Sequence, residues 1–214
     1  MKRNIKTVHY LGSKIRMLPE IKKCIDELNH TGGRVCDLFS GSGVVSEFLL
    51  QQYDILAVDI QKYSSVYCKA RLTGGIQEID SKKLELEIKE SISRKTLLDK
   101  FKPILEYESK GMEKLSYGHI ETIYEIIEKG SLYAYLGNYD YADGILSCAL
   151  RKVFSDVKNM LGEKMNSVDS TITRYYGGLY FSFRQAIDID AIATYAFRQE
   201  EPLKSKLLAA LMGA

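Results

Sequence analysis

The sequence predicts an α/β fold, a Rossmann-like core that carries a mostly helical insertion. Three observations predict it. Two short apolar runs, residues 35–39 and 54–60, flank a glycine-containing turn and one helical stretch. The middle of the chain then becomes rich in lysine and glutamate and shows only helical periods. Finally, an aromatic- and glycine-rich segment leads into further helices. The 214 residues suffice for one good-sized domain, or for one domain with a smaller insertion.

In chain order, Leu18, Ile21, Ile25 and Leu28 recur at helical spacing, with Pro19 suited to the first turn. Thr31-Gly32-Gly33 is a turn signal, and Val35-Cys36-Asp37-Leu38-Phe39 reads as a short buried parallel strand. A helix is expected after Gly43, with Val44, Val45, Phe48 and Leu49 on one face. A second buried strand is expected over residues 54–60, joined to the first by a right-handed crossover. The core therefore covers residues 1–73. Residues 74–170 form the insertion, with periods at Leu84/Ile88/Ile92, Ile120/Ile123/Ile127 and Leu146/Leu150/Val153/Val157. Its charge runs read as solvated surface. Residues 171–214 are expected to return to the core, ending in the apolar helix from Leu203 to Met212, an exposed docking face.

Composition narrows the function. A hydrophobic fraction of 45% and a charged fraction of 27% are those of an ordinary globular protein. No apolar run approaches the roughly 20 residues of a membrane span, and the charged start lacks the apolar stretch of a signal peptide. Cys24, Cys36, Cys68 and Cys148 are too scattered for a zinc site or a disulfide framework. Cys24, Cys36 and Cys148, set among apolar neighbours, are expected as reduced core thiols. His9, His30 and His119 share no ligand spacing, so no metal is expected. A cytoplasmic setting is the expectation. The net charge of +2 requires any nucleic-acid contact to come from local patches.

The chemistry centres on Asp37-Leu38-Phe39-Ser40-Gly41-Ser42-Gly43, where a strand ends, a tight turn follows and a helix begins. Gly41 and Gly43 let the backbone approach a ligand closely. The second run leads to Asp59, whose carboxylate can accept both hydroxyls of a ribose. Such a unit binds either a dinucleotide or S-adenosylmethionine. Two features favour the methyl donor. The dinucleotide fingerprint GxGxxG has Ser46 in place of its third glycine. Asp37 would repel a pyrophosphate but suits an α-ammonium.

His9-Tyr10-Leu11-Gly12-Ser13-Lys14, followed by the 37–43 loop, resembles the opening of Dam-type DNA adenine N6-methyltransferases. The resemblance implies a Rossmann-like S-adenosylmethionine-dependent methyltransferase core acting on double-stranded DNA, with the insertion as a target-recognition region. It implies that Tyr10, Gly12 and Lys14 hold the methionine end, with Lys14 facing the carboxylate. Phe39, Gly41 and Gly43 would form the loop, Asp37 would meet the amino group and Asp59 the ribose. The segment Tyr176-Gly177-Gly178-Leu179-Tyr180-Phe181-Ser182, with Gln185 to Asp190 after it, is similar to one found in a variant of this family. Two readings stand for it: aromatic packing against the sheet, or a DNA-facing loop with Arg174 on phosphate and Tyr176 stacking on a displaced base.

The resemblance is incomplete. The family's catalytic motif, [Asp/Asn/Ser]-Pro-Pro-aromatic, needs two adjacent prolines, and Pro19, Pro103 and Pro202 are the three in this chain. The chain is thus expected to be inactive alone, as a truncated chain or as one subunit of a split enzyme whose second chain brings the Pro-Pro motif. The alternative is a non-catalytic DNA-recognition or regulatory subunit of a restriction-modification system. An NAD-binding Rossmann protein is disfavoured by Ser46 and Asp37.

Overall fold

The computed structural model describes residues 14–28, 33–74, 80–137, 145–162 and 167–213. These residues are mostly helical and include one two-stranded parallel sheet. The chain divides into two compact units, one of Met1–Ile79 with Ala196–Ala214, the other of Asp80–Tyr195.

The first unit opens with a 3-10 turn, Lys14–Met17, and α1 (Leu18–Leu28). Then follow β1 (Arg34–Asp37), α2 (Val44–Leu49), β2 (Asp54–Ala57) and α3 (Lys62–Leu72). β1 and β2 pair in parallel, with Arg34 opposite Asp54 and Asp37 opposite Ala57. The second strand, Asp54–Ala57, is shorter than the expected 54–60, although Val58 beyond it still bonds to the Asp37 carbonyl and the Ser40 N–H. Expected burial on both faces is not met either. Val35, Asp37, Ile55 and Ala57 are half-buried, whereas Arg34, Cys36, Asp54 and Leu56 are exposed. Among the cysteines only Cys68 is buried; Cys24, Cys36 and Cys148 are exposed, which corrects the expectation of core thiols. Cys36 shares its sheet face with Leu56, which is exposed as well.

In the second unit, α4 (Ser81–Glu90), α5 (Ile92–Lys100), α6 (Lys102–Ser116), α7 (Glu121–Lys129) and α8 (Leu132–Leu136) precede α9 (Cys148–Leu161) and α10 (Thr171–Tyr176). α11 (Phe183–Phe197) follows. The core of this unit gathers Phe101, Ile104, Ile126, Leu132, Leu150, Phe154, Val157, Phe183 and Ile187. The 146–157 period is met in large part: Leu146, just before α9, and Leu150 and Val157 on it are buried, and Val153 is partly buried against the same core. Two other periods are not. Ser91 breaks the chain between α4 and α5, its hydroxyl accepting the Arg94 N–H, and leaves Ile92 exposed. On α7 the buried residue is Ile126, while Ile120 and Ile127 face solvent.

The aromatic segment from Thr171, expected to return to the core, groups with the helical unit. Its glycines pack on Phe183, which is fully buried there. The last helix, α12 (Leu203–Met212), packs against α3. Ala209 and Ser205 are buried, with Ala209 against Tyr67 and Ala70. The apolar end is therefore largely covered rather than an open docking face, because small residues let α12 approach α3 closely.

Candidate functional site

Past the end of the sheet the backbones of the two strands stay tied. The Val58 N–H donates to the Asp37 carbonyl (2.8 Å) and the Ser40 N–H to the Val58 carbonyl (3.1 Å). The Gly43 N–H closes the turn onto the Ser40 carbonyl (2.8 Å). Gly41 and Gly43 have φ of 50° and 76°, the left-handed region where a side chain is strained. Their surroundings differ. A Cβ on Gly43 would lie 3.1 Å from Cys68 Sγ, whereas one on Gly41 would meet nothing within 4 Å. Gly43 is thus required by packing onto α3, and Gly41 borders open space.

Two carboxylates flank this turn, each held by donors. Ser46, fully buried in the first turn of α2, donates its hydroxyl to Asp37 Oδ2 (2.8 Å). The residue in place of the third fingerprint glycine is therefore the one that fixes Asp37. Asp59 accepts the Gln61 N–H and the Gly41 N–H, each at 2.9 Å. Those N–H groups, Gln61 first and then Gly41, hold its pKa below the ordinary value, so it is ionised at neutral pH. The Cys68 thiol donates to Ser40 Oγ (3.3 Å), and burial raises its pKa. Cys68 thus packs as a neutral thiol. Phe39, 81% exposed, projects from the loop. Lys14 is exposed on the 3-10 turn, which packs against α2. Tyr10 and Gly12 lie outside the described residues.

The aromatic segment is built by two buried carboxylates acting from a distance in sequence. Asp190 on α11 accepts the Ile172 N–H (3.0 Å), the Thr173 N–H and the Thr173 hydroxyl (both 2.7 Å), capping α10. Glu108 on α6 accepts the Phe183 N–H (2.8 Å) and the Arg184 N–H (3.2 Å), capping α11. Ser182 and Gln185 complete that cap as a reciprocal box, each side chain accepting the other's N–H at 3.1 Å. Burial raises the pKa of both carboxyls, and the same hydrogen bonds oppose it. Arg174 is 6% exposed and donates to Ser170 Oγ (3.2 Å) and the Ser167 carbonyl (2.8 Å). It is a packing arginine, not a guanidinium available to phosphate, which corrects the role expected of it. Tyr176 is half-exposed, in edge contact with Tyr180. Neither sheet packing nor spacing pointed to Glu108, since it is distant in sequence from the helix it caps.

Compared with known proteins, residues 10–182 match the family of D12 class N6 adenine-specific DNA methyltransferases. The chain belongs to this family. The matched span of this D12 class methyltransferase chain contains both the 37–43 loop and the aromatic segment. The modification methylase StsI of Streptococcus sanguinis is 36% identical over 84 residues, 38% of this chain and 13% of that protein. The type II methyltransferase M.FokI of Planomicrobium okeanokoites is 33% identical over 66 residues, 30% of this chain and 10% of that protein. The aligned stretches thus span a small part of these curated relatives. No solved structure matches the chain. D12 class methyltransferases use S-adenosylmethionine as methyl donor. Among the described residues there is no cluster of metal-ligating side chains and no helix long and apolar enough to cross a membrane.

Proposed function

We propose that this chain is the S-adenosylmethionine-binding part of a DNA adenine N6-methyltransferase of restriction-modification type, with the first unit as part of a Rossmann-like core. The observation that carries the reading is a pair of fixed carboxylates, Asp37 and Asp59, flanking the open side of Gly41. This donor set fits the cofactor. Bound there, S-adenosylmethionine supplies an electrophilic methyl group. Asp37, steadied by Ser46, accepts from the α-ammonium, and Asp59 accepts from the ribose hydroxyls through lone pairs left by its two backbone donors. The open side of Gly41 lets the ligand lie against the backbone. Lys14 faces the methionine carboxylate, Tyr10 and Gly12 complete that end, and Phe39 offers a ring beside the loop. The same carboxylate at Asp37 disfavours the pyrophosphate of NAD.

Double-stranded DNA is the substrate in this reading, and a further piece of the enzyme supplies the acceptors for the adenine amine. Methylation of that amine needs a side chain and a carbonyl aimed at its protons, and the chain has no adjacent prolines to form the rigid turn. A sheet face left exposed among the described residues supports a further piece. Cys36 and Leu56 lie on it, and Leu38, Val58 and Ile60 around the strand ends are also exposed. Parallel sheets are normally buried on both faces, and two strands alone are marginally stable. A regulatory DNA-recognition subunit would lack the motif equally. Transfer of tritium from labelled S-adenosylmethionine to mixed-sequence duplex DNA separates the two. The split-enzyme reading expects background incorporation by the chain alone and activity on adding a Pro-Pro-containing partner. Robust incorporation by the chain alone refutes the split, and activity of the partner without this chain refutes its cofactor role.

A further inference from the structure

The two carboxylates of the proposed cofactor site stand in like positions. Each lies where a parallel strand gives way to a loop, and each loop leads into a helix, α2 after Asp37 and α3 after Asp59. The third residue of each helix is a serine, Ser46 in α2 and Ser64 in α3. Both are closed off from solvent, Ser46 fully and Ser64 at 1% exposure. Ser46 donates to Asp37 Oδ2 at 2.8 Å. The Ser64 hydroxyl has no hydrogen bond of ordinary geometry, and a hydroxyl buried without one is costly.

The face of α3 that carries Ser64 shows which group it serves. Cys68 and Arg71 follow it at helical spacing. Cys68 lies under the turn, its thiol on Ser40 Oγ (3.3 Å) and facing the Gly41 carbonyl (3.8 Å). The Arg71 guanidinium holds Glu47 of α2, and its Cδ would lie 3.6 Å from a Cβ on Gly43. This row of α3 therefore runs beneath residues 40–43. Its first member comes up against Asp59, the carboxylate that accepts the Gly41 N–H. Gln61, three residues before Ser64, donates its N–H to the same carboxylate. After the Gln61 and Gly41 N–H groups, the Ser64 hydroxyl also helps to hold the Asp59 carboxyl below its ordinary pKa. A small rotation of either side chain closes the bond.

We infer that Ser64 is a positioning residue for Asp59, its hydroxyl donating to the carboxylate from the buried side and aiming it at the ribose. The inference rests on the S-adenosylmethionine reading above and extends it to a residue that the cofactor does not touch. The two N–H groups hold one oxygen each, Gln61 on Oδ1 and Gly41 on Oδ2. A third donor, from the helix side, fixes the tilt of the carboxylate plane. Because Ser64 is closed off from solvent, its effect on binding passes through Asp59.

The test is calorimetry of S-adenosylmethionine with the full chain, Ser64→Ala, Ser64→Thr, Asp59→Ala and the double variant Ser64→Ala/Asp59→Ala, with thermal melts to establish that each is folded. Ser64→Ala should weaken binding about tenfold, as expected for loss of a hydrogen bond to a charged group. Ser64→Thr, which keeps the hydroxyl, should recover most of that loss. In the Asp59→Ala background the serine change should cost less than about twofold, because the carboxylate that it aims is gone. Losses of equal size with and without Asp59 would show that Ser64 only supports α3 and would overturn the inference. So would a Ser64→Ala variant that binds as tightly as the parent. Where the added methyl of Ser64→Thr lowers its melt below the working temperature, the double variant decides. A parent chain that binds no S-adenosylmethionine sinks the cofactor reading and this inference with it. Parent binding that Asp59→Ala weakens and Ser64→Ala does not sinks this inference alone.

Discussion

Gly43→Ala places a methyl group 3.1 Å from Cys68 Sγ and 3.4 Å from Cys68 Cα, at a φ of +76°. The left-handed conformation costs a non-glycine residue about 1–2 kcal/mol. Overpacking against the backbone of α3 adds about 1–3 kcal/mol. The sum is a loss of about 2–5 kcal/mol, and for a chain of this size each kcal/mol is worth about 2–4 °C in melting temperature. Gly41→Ala has the same conformational cost at φ +50° and no steric one, since nothing lies within 4 Å. Its melting temperature should therefore fall by only a few degrees, yet its methyl group would occupy the space assigned to the ligand. The pair thus separates folding from binding: Gly43→Ala loses stability, whereas Gly41→Ala stays folded and loses S-adenosylmethionine affinity by tenfold or more, about 1.4 kcal/mol. Adding Cys68→Ala to Gly43→Ala should restore part of the steric loss and none of the conformational one. Thermal melts followed by circular dichroism, with calorimetry on each variant, read both quantities. Retention of cofactor affinity within about twofold in Gly41→Ala would refute the argument that the open side of this glycine is the ligand's seat.

Ser46→Ala removes a hydrogen bond to a charged acceptor and should cost about 1.5–3 kcal/mol by urea denaturation; it should also weaken the cofactor several-fold by freeing Asp37, and an unchanged affinity would make the bond purely structural. Glu108 and Asp190 have folded pKa values raised above 4.5 and 3.8 by burial. The folded state therefore binds their protons more tightly than the unfolded state, and their contribution declines as pH rises from about 4 through the raised values. Measured between pH 4 and 7, the stability of the parent relative to Glu108→Gln should fall with pH; a rise would contradict the sign. Arg174→Lys should destabilise the chain, because one ammonium cannot reach both Ser170 and the Ser167 carbonyl in the planar geometry of a guanidinium. Its DNA affinity, measured on folded protein, should equal the parent's.

Local signals were legible where a single element decides the outcome. The strand, turn and helix around Asp37 and Gly43 follow from apolar runs and glycines that only that local geometry accommodates. The α9 face was equally readable, because Leu150 and Val157 lie on one uninterrupted helix and both are buried. Reading failed where a distant partner decides. Ser46 looked like a departure from a phosphate-binding fingerprint, and its role emerges only when α2 turns it onto the end of β1. Arg174 and Tyr176 are neighbours in the same short helix, yet one is buried under its own N-terminal turn and the other is half-exposed. The buried caps Glu108 and Asp190 act across long stretches of chain, beyond the reach of any periodicity. Burial of the sheet was over-expected because apolar strand residues announce that they need covering, without saying which segment covers them.

Titration calorimetry of the purified chain with S-adenosylmethionine, and separately with NAD, tests the central claim most directly. The account predicts a single S-adenosylmethionine site, weakened in Asp59→Ala by about 1–3 kcal/mol through loss of a charged acceptor, with no comparable heat from NAD. Tight NAD binding with no response to S-adenosylmethionine, or an Asp59→Ala variant that binds S-adenosylmethionine as well as the parent, would contradict it.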